Sequence, residues 1–177
     1  MVASSSAMAS STLLKQADGA SLGKLYERLG EAKSDEEARQ IEAAIARNWL
    51  RSGSATADLL FTRAYVALGI DDPALAVELL DRVIALTPDW AEAYARRGEI
   101  LAALGDHDRA VADFNQVLIR DDRHYLVLQA LARVFAQAGA KRGALTLYER
   151  ALAINPRLEG GGKALEKLRL AVDGQPL

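Results

Sequence analysis

The sequence predicts an all-α fold, a solenoid of stacked helix-turn-helix hairpins with a C-terminal capping helix. The first supporting observation is a repeat with a period of 34 residues, since 91–124 aligns with 125–158. The second is composition, because Ala, Leu, Arg and Glu dominate and all four favour helix. The aligned pairs are Gly105 with Gly139, Ala110 with Ala144, Phe114 with Tyr148, and Val117 with Ala151. One hairpin cannot bury its apolar face alone, so this period indicates hairpins that stack on one another.

Length, charge and missing residue types exclude several classes of protein. The chain has 177 residues, enough for one domain with a hydrophobic core, and 50% of them are hydrophobic. Its net charge of −2 argues against a protein that binds nucleic acid through bulk charge. The absence of cysteine excludes disulfides, zinc–thiolate sites and cysteine nucleophiles. No apolar run of about 18 residues occurs, so we expect no transmembrane helix.

The two ends of the sequence are expected to be tails. Residues 1–20 are rich in Ser and Ala, and they contain neither the basic start nor the apolar stretch of a signal peptide. They are interpreted either as a native flexible start or as a leader that replaces a removed signal. The first interpretation places the protein in the cytoplasm and the second in the periplasm. Residues 173–177 are expected to fray.

Residues 21–54 are expected to form an N-terminal capping hairpin. The apolar stripe of its first helix consists of Leu22, Leu25 and Leu29. A turn follows at 30–33, and Ser34 with Glu37 forms a capping box at the start of the second helix. The apolar face of this second helix consists of Ala38, Ile41, Ile45 and Trp49. Because the pair matches the later repeats poorly, we expect it to cap the N-terminal end of the stack.

Residues 55–90 are expected to form the first repeat. Asp71-Asp72-Pro73 is a helix start, because acidic residues cap the N-terminus and Pro suits the first helical turn. Aligned on the first helix, this unit is offset by 36 residues from the next, whereas alignment on the second helix gives 34. We therefore expect an insertion in the turn between Gly69 and Pro73, since loops absorb changes of length at small cost.

Residues 91–124 and 125–158 are expected to be the two most regular repeats. Small residues allow paired helices to approach closely, while larger ones fill the space between neighbouring hairpins. The small residues are Gly98, Ala110, Ala132 and Ala144. After three consecutive glycines, residues 163–172 are predicted to form an amphipathic helix that covers the apolar side of the last hairpin.

These repeats resemble the tetratricopeptide repeat (TPR) family, and the resemblance covers residues 55–158. In 91–124 the matching residues are Tyr94, Gly98, Leu101, Ala110 and Phe114. In 125–158 they are Leu131, Ala132, Phe135, Ala144, Tyr148, Ala151 and Pro156. In 55–90 they are Phe61, Tyr65, Ala76 and Pro88. The sequence departs from the family at Arg97, where Leu is preferred, and at Asp122, where Pro is preferred.

The resemblance implies a right-handed solenoid that acts as a non-enzymatic scaffold and binds a peptide or protein segment in its concave groove. The whole chain is also similar to short bacterial TPR proteins, as the segment Trp49-Leu-Arg-Ser-Gly-Ser54 followed by Asp58-Leu59-Leu60 indicates. Many members of that group are exported.

By the same resemblance, the second, fifth, sixth, ninth and twelfth positions of each repeat face the groove. The partner-binding residues predicted in this way are Leu59, Arg63, Val66, Glu92, Arg96, Glu99, Leu126, Gln129 and Arg133. The three arginines recur from repeat to repeat. We hypothesise that they form a ladder for an acidic segment or a C-terminal carboxylate, because a guanidinium can bond a carboxylate twice. The alternative is that they are solvated or pair with the two glutamates.

Two further interpretations concern the partner. Family members that bind chaperone tails use a Lys and Asn clamp, which this chain does not reproduce at Leu59, Arg63, Arg96, Leu126 and Ala130. The alternative function is self-association as a structural or assembly protein. A short stack leaves terminal apolar faces, which can dock in a homo-oligomer.

No combination of residues predicts catalysis, a metal site or a cofactor. His107 and His124 are the only histidines, and we expect both to be exposed turn residues because no metal-binding spacing is present. Asp71-Asp72 and Asp121-Asp122 are expected to cap backbone N–H groups at helix boundaries. Gly162-Lys163 lacks the other residues of a phosphate-binding loop. We therefore expect a protein that is not an enzyme.

Overall fold

The computed structural model describes residues 21–174, and within that range the chain forms nine α-helices and no strand. The all-α prediction is therefore confirmed, while both predicted tails lie largely outside the described residues. In chain order the helices are α1 (Leu22–Gly30), α2 (Asp35–Trp49), α3 (Ala55–Gly69), α4 (Pro73–Leu86), α5 (Ala91–Ala103), α6 (His107–Arg120), α7 (Tyr125–Gln137), α8 (Lys141–Ile154) and α9 (Gly161–Asp173).

Three hairpins, α3–α4, α5–α6 and α7–α8, form the repeats. Their turns at 70–72, 104–106 and 138–140 have the same length. The residue at the centre of each turn has a left-handed backbone, with φ values of 59° at Asp71, 82° at Gly105 and 79° at Gly139. Asp tolerates this conformation better than most residues that have a side chain.

The predicted insertion in the first of these turns is therefore wrong. Helix α3 has 15 residues, whereas α5 and α7 have 13 each, so the additional length lies in α3. The turn itself keeps the length of the other two, with a left-handed central residue followed by a helix cap. That cap is Asp72, whose side chain accepts a hydrogen bond from the Leu75 backbone N–H at 3.0 Å.

Small residues hold the helices of each regular repeat together, as predicted. A Cβ added to Gly98 would lie only 2.8 Å from the Phe114 ring, so α5 and α6 approach closely at this point. In the next repeat the glycine is on the second helix and the aromatic residue on the first. A Cβ on Gly143 of α8 would lie 2.8 Å from the Phe135 ring of α7. The other predicted small residues, Ala110, Ala132 and Ala144, are fully buried.

Helices α1 and α2, here called the N-terminal hairpin, do not stack on α3–α4 as a cap at the N-terminal end of the repeats would. Helix α1 packs against α8, at the other end of the repeats. The buried apolar side chains of the hairpin join one cluster with those of α5–α9, while α3 and α4 form a separate cluster with Trp90, Ala93 and Ile100. The hairpin therefore lies beside the array of repeats and not at its N-terminal end.

The predicted capping box of α2 forms with one change of partner. The Ser34 hydroxyl accepts a hydrogen bond from the Glu37 backbone N–H at 3.1 Å. The Glu37 carboxylate accepts one from the N–H of Lys33 at 2.9 Å, one residue earlier than predicted. At the opposite end of the chain, α9 packs on α8 and covers the last repeat.

Arg97, which departs from the family pattern, connects two repeats. Its guanidinium bonds both carboxylate oxygens of Asp113 in α6, with Nε–Oδ2 at 2.8 Å and Nη2–Oδ1 at 2.6 Å. Its remaining nitrogen lies 2.6 Å from Asp81 Oδ1 in α4. A bidentate pair of this kind fixes orientation as well as distance, so Arg97 aligns α4 with α5 and α6.

Candidate functional site

An aromatic and polar cluster attaches the C-terminal end of α2 to the loop between α6 and α7. Tyr26 Oη donates a hydrogen bond to Asp121 Oδ2, and Trp49 Nε1 lies 3.1 Å from the same oxygen. The Trp49 ring stacks on the His124 ring with 3.8 Å between centroids. Trp90 Nε1 donates a hydrogen bond to the Trp49 carbonyl oxygen at 2.7 Å, so the loop between α4 and α5 also contacts the end of α2.

One of the predicted roles in this loop is wrong, and another is only part of what the residue does. Asp121 Oδ1 accepts a hydrogen bond from the Arg123 backbone N–H at 3.2 Å, as expected at a helix boundary, while Oδ2 is used by the N-terminal hairpin. His124 is not an exposed turn residue, because only 2% of its surface is accessible. It is itself the N-cap of α7, where Nδ1 accepts a hydrogen bond from the Val127 backbone N–H at 3.3 Å. Stacking against Trp49 explains why an imidazole is buried here.

A second cluster attaches the turn of the N-terminal hairpin and the first half of α2 to the loop after α8. Asn155 Nδ2 donates to Glu42 Oε1 at 2.6 Å. Arg157 donates to the carbonyl oxygens of Ala32 at 3.0 Å and Lys33 at 2.9 Å, and it forms an ion pair with Asp35. Helix α2 therefore extends along the loops that follow α4, α6 and α8, at 87–90, 121–124 and 155–160.

This arrangement creates a groove of about 760 Å³ between α2 and α7, here called the α2–α7 groove. Its lining residues are Arg39, Glu42, Ala43, Ala46, Trp49, Tyr125, Leu126, Gln129, Arg133, Tyr148, Leu158, Glu159 and Gly160. Three of the predicted partner-binding residues, Leu126, Gln129 and Arg133, are among them. The rest of the lining includes apolar and aromatic side chains, which suits a segment of extended chain.

The two arginines of the α2–α7 groove lie on opposite walls. Arg133 on α7 is exposed, and none of the described residues forms an ion pair with it. Arg39 on α2 pairs with Glu36 at 3.0 Å, but both side chains are about two-thirds exposed, and exposed pairs of this kind are weak. Both guanidinium groups are therefore accessible to a ligand carboxylate.

The predicted residues on α5 have a different environment. Glu92 is buried, with 1% of its surface accessible, and Oε1 lies 2.6 Å from Arg96. Arg96 also pairs with Glu99 at 2.9 Å, while His124 Nε2 lies 3.4 Å from the second oxygen of Glu92. Burial opposes ionisation of Glu92, but the hydrogen bond from His124 and the charge of Arg96 outweigh it and lower the pKa of this carboxyl. The charge of Arg96 is thus already neutralised within the chain.

The predicted residues on α3 belong to yet another surface. Arg63 and Val66 line a separate groove of about 590 Å³ with Ile70 and with residues of α4. Leu59 lies on the same side of α3, four residues before Arg63. The structure therefore brings the α7 residues together with α2, and it does not bring the three arginines into one site.

Sequence reasoning missed the α2 half of the groove. Arg39, Ala43 and Ala46 lie in a segment that matches the repeat pattern poorly, so the resemblance assigned no groove position to them. Among the described residues no group of three or more His, Asp and Glu side chains could hold a metal ion. None of the helices in the described part of the chain has the length and apolar character that crossing a membrane requires.

Comparison with known proteins agrees with this architecture. The family model for the tetratricopeptide repeat matches residues 61–125 and 96–159. A TPR repeat-containing protein of Rhizobium etli is 32% identical over 135 residues, which are 76% of this chain. The chain spans 66% of that relative's length.

Two solved structures share the fold at 16% sequence identity. The first TPR of Spaghetti (RPAP3), bound to the HSP90 peptide SRMEEVD, has a TM-score of 0.65 and covers 68% of this chain and 96% of its own. The Yersinia enterocolitica type III secretion chaperone SycD, in complex with a peptide of the translocator YopD, has a TM-score of 0.63 and covers 67% and 96%. At this level of identity, the likeness shows the fold alone.

Proposed function

Because the chain belongs to the tetratricopeptide repeat family, we propose that it is a non-enzymatic scaffold that binds a peptide or protein segment in the α2–α7 groove. The observation that carries the proposal is the groove itself, which is open and combines apolar and aromatic lining residues with two accessible arginines. Two of the structural neighbours were solved with bound peptides, which supports a ligand of this class.

The two arginines of the groove, whose lining also contains Glu42 and Glu159, are the groups that could bind an acidic side chain or a free C-terminal carboxylate of the ligand. Arg133 and Arg39 can bond a carboxylate from opposite walls, and the planar guanidinium suits this contact. Of the hypothesised arginine ladder, we retain Arg133 for ligand binding. Arg96 is neutralised by Glu92 and Glu99, which is the alternative that the sequence left open.

The test is a library of short synthetic peptides that end in a free carboxylate, with the same sequences amidated at the C-terminus as controls. We expect the wild-type protein to retain a subset of the free-acid or acidic peptides. Arg133→Glu should reduce their affinity about tenfold or more, because a like charge replaces the binding group.

Arg150→Glu is the matched control, since Arg150 is an exposed arginine of α8 that does not line the groove. It makes the same change of charge and should leave peptide affinity unchanged. Failure of the wild-type protein to retain any peptide, or equal losses in the two variants, would contradict the proposal.

A further inference from the structure

A second cavity, of about 370 Å³, lies where α7, α8 and α9 meet. This cavity, here called the α7–α9 pocket, lies between residues 133–137 of α7, Lys141 and Tyr148 of α8, and residues 164–171 of α9. Arg133 and Tyr148 also line the α2–α7 groove, so the two cavities are continuous. The helix that caps the last repeat is therefore also one wall of a cavity that opens into the proposed ligand groove.

The charged side chains of the α7–α9 pocket are all positive. Arg133, Lys141 and Lys167 line it, and none of the described aspartates and glutamates does. Within the described part of the chain, none of these three cations has an ion-pair partner. The α2–α7 groove, by contrast, contains two glutamates as well as two arginines. The electrostatic preference for an anionic ligand group is therefore strongest in the pocket.

The uncharged part of the α7–α9 pocket is mostly apolar. Tyr148 and Leu168 are largely buried, with 5% and 9% of their surfaces accessible, and three partly exposed alanines complete this part of the lining, at 136, 164 and 171. A phosphate or a carboxylate alone would leave the apolar surface in contact with water. An apolar side chain next to a carboxylate would cover it, so the pocket suits a ligand that carries both groups.

We propose that the α7–α9 pocket binds an acidic part of the peptide ligand, in which an apolar residue has an acidic side chain on either side of it. Three cations without partners favour more than one carboxylate, so acidic side chains fit better than a single chain terminus. The ligand continues past Arg133 into the α2–α7 groove, where Glu42 and Glu159 favour neutral or basic residues. This inference rests on the proposed function and specifies the chemistry and the direction of its ligand.

The first experiment compares three labelled peptides, each acetylated at the N-terminus and amidated at the C-terminus. The first peptide carries leucine between two glutamates, in the second glutamines replace the glutamates, and in the third serine replaces the leucine. We expect the first peptide to bind about tenfold more tightly than either of the others. Its advantage over the glutamine peptide should shrink as salt is added, because salt screens exposed charges.

The second experiment changes the charge of the α7–α9 pocket. Lys141→Glu combined with Lys167→Glu should weaken the binding of the glutamate peptide about tenfold or more, because like charges then meet. The glutamine peptide should bind this double variant as well as it binds the wild-type protein.

Lys163→Glu is the matched control, since Lys163 is an exposed lysine of α9 that does not line the pocket. It should change the affinity for the glutamate peptide less than about twofold. Helix content by circular dichroism should be the same in all variants, because none of the three lysines is buried.

Equal affinity for the glutamate and glutamine peptides, equal affinity for the leucine and serine peptides, or equal losses in the double variant and the control would each overturn this inference. It is also wrong if free-acid peptides bind through Arg133 while the blocked glutamate peptide does not bind, although the proposed function then stands. If no peptide of any kind binds, the proposed function is wrong as well.

Discussion

The regular repeats and the N-terminal hairpin are held by different kinds of contact. In α5–α8 the packing depends on periodic small residues, such as Gly98 against Phe114. The hairpin is held by non-periodic partners, since Tyr26 and Asp121 are 95 residues apart and Asn155 and Glu42 are 113 apart. Periodic contacts position each repeat on its neighbour, whereas a few long-range polar and aromatic contacts decide where the hairpin lies.

The largest effect is expected from Trp49→Ala, which removes the centre of the hairpin attachment. The indole stacks on His124, contacts Tyr125 and donates to Asp121, and large-to-small replacement of a buried aromatic residue typically costs 3–5 kcal/mol. We expect the free energy of unfolding to fall by about this amount.

Denaturant unfolding followed by circular dichroism measures this loss. Leu50→Ala is the control, because Leu50 is the next residue and is exposed, so its effect should be below about 0.5 kcal/mol. Similar small losses for both variants would show that Trp49 does not hold the hairpin against the repeats.

The difference between the two regions explains how much of the fold the sequence could predict. Gly105 and Gly139 mark turns, and Asp72 with Pro73 marks a helix start, because these residues act locally or repeat with the period. The position of α2 depends on Asp121 and Asn155, whose partners share no period and no local signal with them. The α2 wall of the candidate site could therefore not be derived, while its α7 wall could.

His124 illustrates the same limit at a single residue. Its place at the start of α7 was evident from the sequence, and a side chain there would normally be exposed. Burial comes from Trp49, which lies 75 residues earlier in the chain and belongs to the non-repeating hairpin. The one signal of this burial in the sequence was Trp49 itself, an indole at the end of a helix whose other apolar residues are aliphatic. That signal does not identify the residue on which the indole stacks.

An intermediate effect is expected from Ala110→Leu, which tests the periodic packing. Ala110 is fully buried between α5 and α6, and overpacking of such a position typically costs 1–3 kcal/mol. Thermal unfolding should show a lower midpoint. Ala112→Leu, at an exposed position of the same helix, should leave the midpoint nearly unchanged. Equal curves for the two variants would contradict the close approach of these helices.

The smallest effect is expected from alkaline pH, and it separates the hairpin attachment from the repeats. Burial raises the pKa of Tyr26, and the hydrogen bond to Asp121 raises it further. Burial and the charge of Glu42 raise the pKa of Tyr125. Below the ordinary phenol pKa of about 10, both tyrosines are neutral in the folded and in the unfolded chain. Their contribution to the free energy of unfolding is therefore fully present at such pH values.

Above that pH the unfolded chain ionises first, so the free energy of unfolding falls as pH rises, by about 1 kcal/mol per unit for each fully shifted group. Denaturant unfolding at about pH 9 and about pH 11 measures the slope. Replacing both residues, with Tyr26→Phe and Tyr125→Phe, should reduce the slope but not abolish it, because burial also raises the pKa of Tyr65 and of Tyr148 in the repeats. An unchanged slope in this double variant would mean that the hairpin attachment contributes nothing to the pH dependence.

The position of α2 is the central claim, because this helix supplies one wall of the proposed ligand groove. The chain has no cysteine, so spin labels can be attached to two introduced cysteines without background. Pulsed dipolar spectroscopy should be applied to the pair Arg39→Cys with Glu159→Cys and to the pair Arg39→Cys with Arg82→Cys. We predict the shorter distance for the first pair, since Arg39 and Glu159 line the same groove. A shorter distance from Arg39 to Arg82 would place the hairpin on the first repeat and contradict the account.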